Sequence, residues 1–198
     1  MTKVDEAVEA VFSLYKRHGT KDYIGEPVSQ TEHMVQCAML AESENWETQY
    51  VLAALFHDIG HLVAYDKDNV RQMVAKECAD AESSLGAMEH GQLGGTYLKN
   101  LGFPQVLCEA VAGHVDAKRY LVFADSSYHD KLSPASKQTL VYQGGPMKAD
   151  EAEAFRQKEF FDAVIRLRYF DDQAKVQDMK CKPLEYYEEM CRQYLLSC

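Results

Sequence analysis

The residues of this chain best suited to chemistry are a histidine and a neighbouring aspartate, His57 and Asp58. They follow the apolar run at residues 53–56, so a helix through this segment places an imidazole and a carboxylate against the core. Burying an ionised carboxylate is costly unless a cation or strong donors compensate for it. Imidazole nitrogen and carboxylate oxygen are ligands that Fe, Mn and Zn accept, and one carboxylate can bridge two ions. The segment therefore indicates a metal site, with a hydrogen-bonded core histidine as the alternative.

Other histidines share this placement. Of the seven histidines, five lie in predicted helices or at their ends: His33, His57, His61, His90 and His114. A lone histidine on a helix is more often a surface or core residue than a ligand, but five of them call for a common reason. Apart from the adjacent pair His57 and Asp58, the residues His33, His90, His114 and Asp171 each lie on a different predicted helix.

Helical patterns run through nearly the whole chain and predict an all-α fold. The clearest helix start is the capping box at residues 29–32, where Ser29 accepts from an amide three residues on and Glu32 reaches back. Ser133 and Pro134 form a second start, and the glycines at 144–145 form a stop. Predicted helices span 4–15, 29–41, 48–59, 70–78, 81–101, 104–123, 149–172 and 183–196, with a further helix from 133 and a polar interval at 66–84.

Length and composition predict one globular domain over residues 1–198. The 31 acidic and 21 basic side chains leave a net charge of -10, which disfavours nucleic acid and anionic membranes as partners. No apolar run of about 18 residues could span a bilayer and no signal peptide is evident, so a cytoplasmic location is expected. The six scattered cysteines are expected to be reduced.

The order of the histidines and aspartates resembles the HD-domain superfamily, whose helical core carries H…HD…D around metal, with two further histidines in dinuclear members. The resemblance covers about residues 20–175 and leaves a C-terminal helix at 183–196. It implies a helical bundle with a dinuclear metal site in its core. By that resemblance His33, His57 and Asp171 bind one metal, His90 and His114 bind the other, and Asp58 bridges them.

Two basic residues keep helical spacing with these ligands. Lys118 lies four residues after His114, and Arg168 lies three residues before Asp171. Two cations directed at one point indicate an anionic substrate, whereas solvated helix charges are the alternative. Neutral donors for the same anion are expected at Ser136 and Gln143.

Residues 23–30, with the sequence Tyr-Ile-Gly-Glu-Pro-Val-Ser-Gln, are the segment that best distinguishes among the reactions known for HD-domain proteins. Read with the Lys118 and Arg168 segments, they resemble the small diiron oxygenases that oxidatively cleave 1-hydroxyphosphonates. That resemblance implies a mixed-valent Fe(II)/Fe(III) pair, O2 as co-substrate and a small hydroxyphosphonate as substrate. It implies Tyr23 as an iron ligand that substrate displaces, Glu26 as partner of the substrate nitrogen, Lys118, Ser136, Gln143 and Arg168 as phosphonate-binding residues, and His61 as a base or proton relay.

The interval at 66–84 makes the separation of His57 from His90 longer than in the oxygenases that accept a primary amine, and an insertion next to a metal ligand is expected to reshape the pocket. This favours (R)-1-hydroxy-2-(trimethylammonio)ethylphosphonate as the substrate, giving glycine betaine and phosphate. The near alternative is 2-amino-1-hydroxyethylphosphonate, giving glycine and phosphate. A quaternary ammonium needs aromatic faces and a carboxylate, which Tyr23 and Glu26 offer.

Two other classes remain open: a metal-dependent phosphohydrolase and an inactive HD module that binds a small anion. Inositol oxygenases fit less well, because their motif carries lysine where this chain has His61. A monomer or a weak homo-oligomer is expected.

Overall fold

A computed structural model describes residues 2–23, 25–66 and 89–198, and these residues form eleven α-helices and no β-strand. The helices are α1 Lys3–His18, α2 Gln30–Ser43, α3 Thr48–Phe56, α4 Ile59–Tyr65, α5 His90–Asn100, α6 Gln105–Ala124, α7 Tyr128–Lys131, α8 Pro134–Tyr142, α9 Ala149–Arg156, α10 Phe161–Gln173 and α11 Leu184–Ser197. The predicted all-α fold is thereby confirmed. None of these helices is both long and apolar enough to cross a membrane.

Helix pairing around one hydrophobic cluster determines which side chains meet. α2 packs on α3 and α10, α5 packs on α4 and α6, and α6 also packs on α3 and α10. α11 packs on α1 and α3 and buries Tyr187 and Cys191. Each fully buried large side chain, such as Phe12 or Leu52, contributes about 1.5–3 kcal/mol. Elements far apart in sequence are thus held at fixed positions around the core.

The predicted helix starts at Ser29 and Ser133 are confirmed. The Glu32 amide donates to the Ser29 hydroxyl at 3.2 Å, and the Glu32 carboxylate accepts from the Ser29 amide at 2.7 Å. At α8, the Ser133 hydroxyl accepts from the Ser136 amide at 3.2 Å, with Pro134 in the first turn. These caps satisfy amides that lack a partner within the helix and set where α2 and α8 begin.

The predicted helix over 48–59 is wrong at its C-terminal end. α3 ends at Phe56, His57 and Asp58 form a turn, and Gly60 lies inside α4 rather than in a turn. A Cβ atom at position 60 would overlap the carbonyl oxygen of His90, so glycine here serves the close approach of α5. The turn directs the side chains of His57 and Asp58 into the space between the helices.

The single helix predicted over 149–172 is also wrong, because a turn separates α9 from α10. The break allows both Phe155 and Phe160, which flank it, to be buried. The short helix α7 was not predicted, and its Tyr128 joins a small second cluster with Leu121, Leu132 and Leu140. The predicted helix over 70–78 and residues 81–88 of the next one lie outside the described residues.

The five described cysteines are free thiols, in keeping with the expected reduced state. Cys37, Cys108 and Cys191 are buried, whereas Cys198 is exposed.

Candidate metal centre and anion site

Four helices and one turn bring the six predicted metal ligands together in the core. His33 lies on α2, His57 and Asp58 form the α3–α4 turn, His90 begins α5, His114 lies on α6 and Asp171 on α10. All six are buried. Their side chains form two groups that share Asp58.

The first group contains His33, His57 and Asp171. The Nε2 atoms of His33 and His57 are 3.1 Å apart, and the Nε2 atom of His33 lies 3.3 Å from Oδ1 of Asp171. Oδ2 of Asp58 lies 3.3 Å from Nε2 of His57. Three side chains from separate elements therefore direct nitrogen and oxygen atoms at one small volume.

The second group contains His90 and His114, whose Nε2 atoms are 2.9 Å apart. Oδ1 of Asp58 lies 3.2 Å from Nε2 of His90 and 3.4 Å from Nε2 of His114. The two oxygen atoms of Asp58 thus face different groups, which is the arrangement that a bridging carboxylate requires.

The hydrogen bonds of three imidazoles show that the two groups fit metal cations. Nδ1 of His57 bonds to the carbonyl of Ala54 at 2.8 Å, and Nδ1 of His114 bonds to that of Val111 at 2.7 Å. Nδ1 of His33 bonds to the carbonyl of Ala174 at 2.9 Å. A carbonyl only accepts, so each Nδ1 carries a proton, and in the neutral imidazole the Nε2 atom is left with a lone pair for a cation.

Converging lone pairs repel each other unless a cation lies between them, and backbone bonds to Nδ1 are the usual way in which proteins orient metal-binding imidazoles. Oδ2 of Asp58 and Oδ1 of Asp171 are buried and have no hydrogen-bond partner among the described residues. Unpaired buried carboxylate oxygens are costly without a cation. The donor set of imidazoles and carboxylates suits iron, manganese or zinc.

Electrostatics within the cluster follow from its mixture of carboxylates and imidazoles. Burial raises the pKa of Asp58, but the charge of His57 and imidazole hydrogen bonds outweigh burial and hold that pKa well below its usual value. Burial likewise opposes protonation of His57, yet the carboxylates of Asp58 and Asp171 raise its pKa to about 9. Asp58 is therefore ionised at neutral pH, the form that binds metal.

Cys37 is a neighbour of the cluster that sequence reasoning missed. Its sulfur, with one ring nitrogen each from His33 and His57, forms a group whose atoms lie within 4.8 Å of one another. Burial and the nearby carboxylates of Asp171 and Asp58 raise the pKa of the Cys37 thiol well above its usual value. Its position four residues after His33 on the same helix was the available signal.

Lys118 and Arg168 are both buried, and Arg168 contacts Asp171 of the first group. Nζ of Lys118 donates to the Thr139 hydroxyl at 2.9 Å, and no carboxylate among the described residues forms an ion pair with it. Burial and then the charge of Arg168 lower the pKa of Lys118 to about 7. Lys118 is thus a buried cation whose charge is not neutralised by direct contact.

Arg168 differs from Lys118 because carboxylates already pair with it. Its guanidinium donates to Asp171 and to Asp172, and its Nε donates to the Tyr128 hydroxyl at 3.2 Å. The position of Arg168 is therefore fixed against the α10 ligand. Tyr128 was not predicted as a neighbour, and nothing in the local sequence signals its proximity.

The two predicted neutral donors are placed differently. Ser136 contributes through its backbone, since its amide donates to Ser133 and its carbonyl accepts from the Thr139 hydroxyl at 3.1 Å. Gln143 lines a cavity of about 280 Å³ together with Gly91 and Ala112. In the chain Gly91 directly follows His90, and Ala112 lies two residues before His114. Its Oε1 atom is buried and lacks a hydrogen-bond partner among the described residues.

Tyr23 and Glu26 lie in a tight loop ahead of α2. The Glu26 amide donates to the Tyr23 carbonyl at 3.0 Å, and the Tyr23 amide donates to the carbonyl of Val28 at 3.0 Å. The Tyr23 ring stacks on His33, with centroids 3.9 Å apart and planes at 14°. Burial and the charges of Asp171 and Asp58 raise the pKa of the Tyr23 phenol well above its usual value. Tyr23 is thereby placed at the first group of ligands.

His61 stacks on His90 with centroids 4.0 Å apart, and its Nε2 lies 3.9 Å from Oδ1 of Asp58. Burial and the neighbouring His90 lower its pKa to about 3, so its imidazole is neutral at pH 7. His61 borders the second group without belonging to it.

Comparison with known proteins identifies the family of this chain. A family model of the HD domain matches residues 31–154. A protein of Acanthamoeba polyphaga mimivirus with no described activity is 37% identical over 195 residues, which are 98% of this chain and 84% of that protein.

Two similar proteins have named activities. The glycine-betaine-forming 1-hydroxy-2-(trimethylamino)ethylphosphonate dioxygenase of Leisingera caerulea is 33% identical over 183 residues, covering 92% of this chain and 87% of the relative. The hydroxymethylphosphonate dioxygenase of Gimesia maris is 34% identical over 182 residues, covering 92% of this chain and 85% of the relative. This chain therefore belongs to the HD-domain family and is related over most of its length to dioxygenases of hydroxyphosphonates.

Proposed function

We propose that this protein is a non-haem diiron oxygenase that uses O2 to cleave the carbon–phosphorus bond of a 1-hydroxyphosphonate. In this reaction R–CH(OH)–PO3²⁻ and O2 give R–COO⁻, HPO4²⁻ and H⁺. Dioxygen accepts four electrons, and the products contain two more oxygen atoms than the organic substrate. The observation that carries the proposal is a buried lysine, Lys118, which has no ion-paired carboxylate among the described residues and lies one helical turn after the proposed metal ligand His114.

The proposed metal ligands divide between two iron ions. His33, His57 and Asp171 would hold one iron, His90 and His114 the other, and Asp58 both. Such a mixed-valent Fe(II)/Fe(III) pair supplies the redox chemistry with O2, and the protein supplies binding, orientation and proton transfer.

The phosphonate is the part of the substrate that these cations suit. A dianionic phosphonate would accept a charge-assisted hydrogen bond from the Lys118 ammonium. The Arg168 guanidinium would be the second cation of this site. Ser136 and Gln143 are proposed as its neutral donors, Gln143 through its side-chain NH2 group, and Gln143 lines a cavity of about 280 Å³. Fixing the phosphonate in this way would orient the adjacent C1 carbon.

Two residues are proposed to act at the reacting end. Tyr23 stacks on His33 and is proposed to bind iron until substrate displaces it. Nε2 of His61 lies 3.9 Å from Oδ1 of Asp58, and for this position we propose His61 as a base or proton relay.

Three compounds are candidates for the substrate. The long interval at residues 66–84 favours the trimethylammonium compound, which the Leisingera caerulea relative is named for, over the primary-amine analogue. Hydroxymethylphosphonate, which the Gimesia maris relative is named for, is the third. They differ only in the group attached to C1.

The test is phosphate release by Fe(II)-loaded protein from each compound, in air and under strict anaerobiosis. We expect O2-dependent phosphate with at least one compound and none from Asp58→Ala, which loses the shared ligand. Tyr23→Phe keeps the ring and separates the classes, because an oxygenase that uses the phenol is slowed and a hydrolase is not. Phosphate released equally without O2, or from phosphoesters with Mn(II) or Zn(II), would replace the oxygenase by a phosphohydrolase.

A further inference from the structure

The carboxylate of Glu26 already has a cation of the protein as its partner. Nζ of Lys175 lies 3.0 Å from Oε1 of Glu26, and the two side chains are only 13% and 12% exposed. The residues are 149 positions apart in the chain. An ion pair this shielded from water is screened much less than one on the surface.

Both partners are attached to backbone that is itself fixed next to the metal-ligand cluster. Glu26 lies in the tight loop with Tyr23, where Gly25 has φ of 78° and approaches Ala135 of α8. Lys175 directly follows Ala174, whose carbonyl accepts the hydrogen bond from Nδ1 of His33. Neither side chain is on a freely exposed surface.

The surroundings of the Lys175 ammonium match what a substrate ammonium would need. Nζ lies 6.0 Å from the centroid of the Tyr23 ring, at the edge of cation–π range, in addition to its contact with Glu26. One aromatic face and one carboxylate are what a cationic nitrogen of the substrate would require. The protein's own ammonium lies between them.

We propose that Lys175 determines specificity at the C1 substituent: its ammonium neutralises Glu26, so the site selects 1-hydroxyphosphonates whose C1 substituent carries no positive charge, such as hydroxymethylphosphonate. This inference rests on the proposed function. A substrate ammonium would have to displace Lys175 from a shielded ion pair or lie against a like charge, and both are unfavourable. A substrate with hydrogen at this position meets neither obstacle.

Steady-state kinetics test the proposal. For the wild type we expect kcat/KM for hydroxymethylphosphonate to exceed that for the trimethylammonium compound at least tenfold. In Lys175→Met, which keeps a long side chain without charge, that ratio should fall at least tenfold. In Lys175→Arg, which keeps the charge, and in Lys182→Met, which removes a lysine paired with Glu42 outside the site, the ratio should be unchanged. A wild type that prefers the trimethylammonium compound, or a ratio unchanged in Lys175→Met, would overturn the proposal.

Binding of choline separates this inference from the oxygenase activity. Choline carries the quaternary ammonium without a phosphonate, and its binding to the metal-loaded protein can be measured without O2 by ligand-observed NMR. We expect at least tenfold tighter binding to Lys175→Met than to wild type, loss of that gain in Lys175→Met with Glu26→Gln, and no gain for the uncharged isostere 3,3-dimethyl-1-butanol.

If the methionine variant does not fold, Lys175→Gln serves as a second neutral variant, because its amide can still donate a hydrogen bond to Glu26. Equal choline binding by wild type and a folded neutral variant would exclude the proposed occupancy, whatever the enzyme assay shows. Conversely, absence of O2-dependent phosphate from all three phosphonates would refute the proposed function and leave the choline result to decide the role of Lys175.

Discussion

Lys118 carries a buried positive charge whose hydrogen-bond partner, Thr139, is neutral. Burial and the charge of Arg168 lower the pKa of Lys118 to about 7. A lysine in this environment is stabilised in its charged form by a bound anion, since the anion supplies a compensating charge that no contact among the described residues provides. Substrate binding and the protonation of Lys118 are therefore expected to be coupled.

At the residue scale we predict that phosphonate affinity falls as pH rises through about 7. Below its pKa Lys118 is an ammonium and binds the anion, whereas above it the amine is neutral, so kcat/KM should approach a tenfold loss for about each pH unit. Lys118→Arg keeps its charge throughout this range and should lack this fall. The pH profiles of kcat/KM for the two proteins, with the same substrate, measure the difference. Identical profiles would show that only the substrate's own ionisation is being observed.

At the element scale, the ligands depend on helices that approach each other closely. α4 and α5 meet where Gly60 faces the first residue of α5, His90, and a Cβ atom at position 60 would overlap the His90 carbonyl. Backbone cannot move aside as the end of a flexible side chain can, so any larger residue must push the two helices apart. His90 would then move away from His114 and Asp58.

We predict that Gly60→Ala loses roughly half of the bound iron while the protein stays helical, because it displaces one ligand of the second group and leaves the first group in place. Overpacking of this kind costs about 1–3 kcal/mol in stability. Elemental analysis and circular dichroism measure both effects. Ala64→Gly weakens the same helix by about 1 kcal/mol without adding an atom and should keep its iron. Equal iron content in wild type and Gly60→Ala would contradict the importance of this contact.

At the scale of the whole molecule, the hydrophobic core encloses a cluster of polar and charged side chains. Buried carboxylates and imidazoles from the α3–α4 turn, α2, α5, α6 and α10 meet there, and two carboxylate oxygens lack partners among the described residues. Their desolvation lowers the stability of the metal-free protein. A bound cation that contacts all of these elements at once would link their stabilities.

Metal binding is therefore expected to raise Tm. A ligand that binds only the folded state at a thousandfold excess over its Kd adds about 4 kcal/mol of stability. For a chain of 198 residues this corresponds to a rise in Tm of about 8–16 °C. Thermal unfolding with Fe(II) under anaerobiosis, compared with chelator-treated protein, measures this rise. Asp58→Ala should show little metal dependence, and a wild-type Tm that is independent of metal would contradict the assignment of the cluster as a metal centre.

Much of the fold and of the ligand cluster could be predicted because the relevant signals are local. Residue type, helical spacing and capping at Ser29 and Ser133 act within a few positions of the chain, and they were sufficient for the all-α fold. The breaks after Phe56 and before Phe161 could not be predicted, because helical propensity continues through both. Packing interrupts the helices there: His57 and Asp58 turn inward at one break, and Phe160 is buried at the other.

By itself the sequence determined the helical class, the identities and order of the six side chains that we propose as metal ligands, and the presence of two basic residues at helical spacing from them. Only the tertiary structure decided which partners those groups have: Thr139 on Lys118, Tyr128 on Arg168, the sulfur of Cys37 beside two imidazoles, and Lys175 on Glu26. Local patterns express short-range backbone preferences, whereas such partners come from segments up to 149 positions apart that meet only when the helices pack. A basic side chain can bind a substrate anion only if no carboxylate of the protein already neutralises it. Those pairings form only in the folded chain, so the charge available to a substrate depends on the tertiary structure.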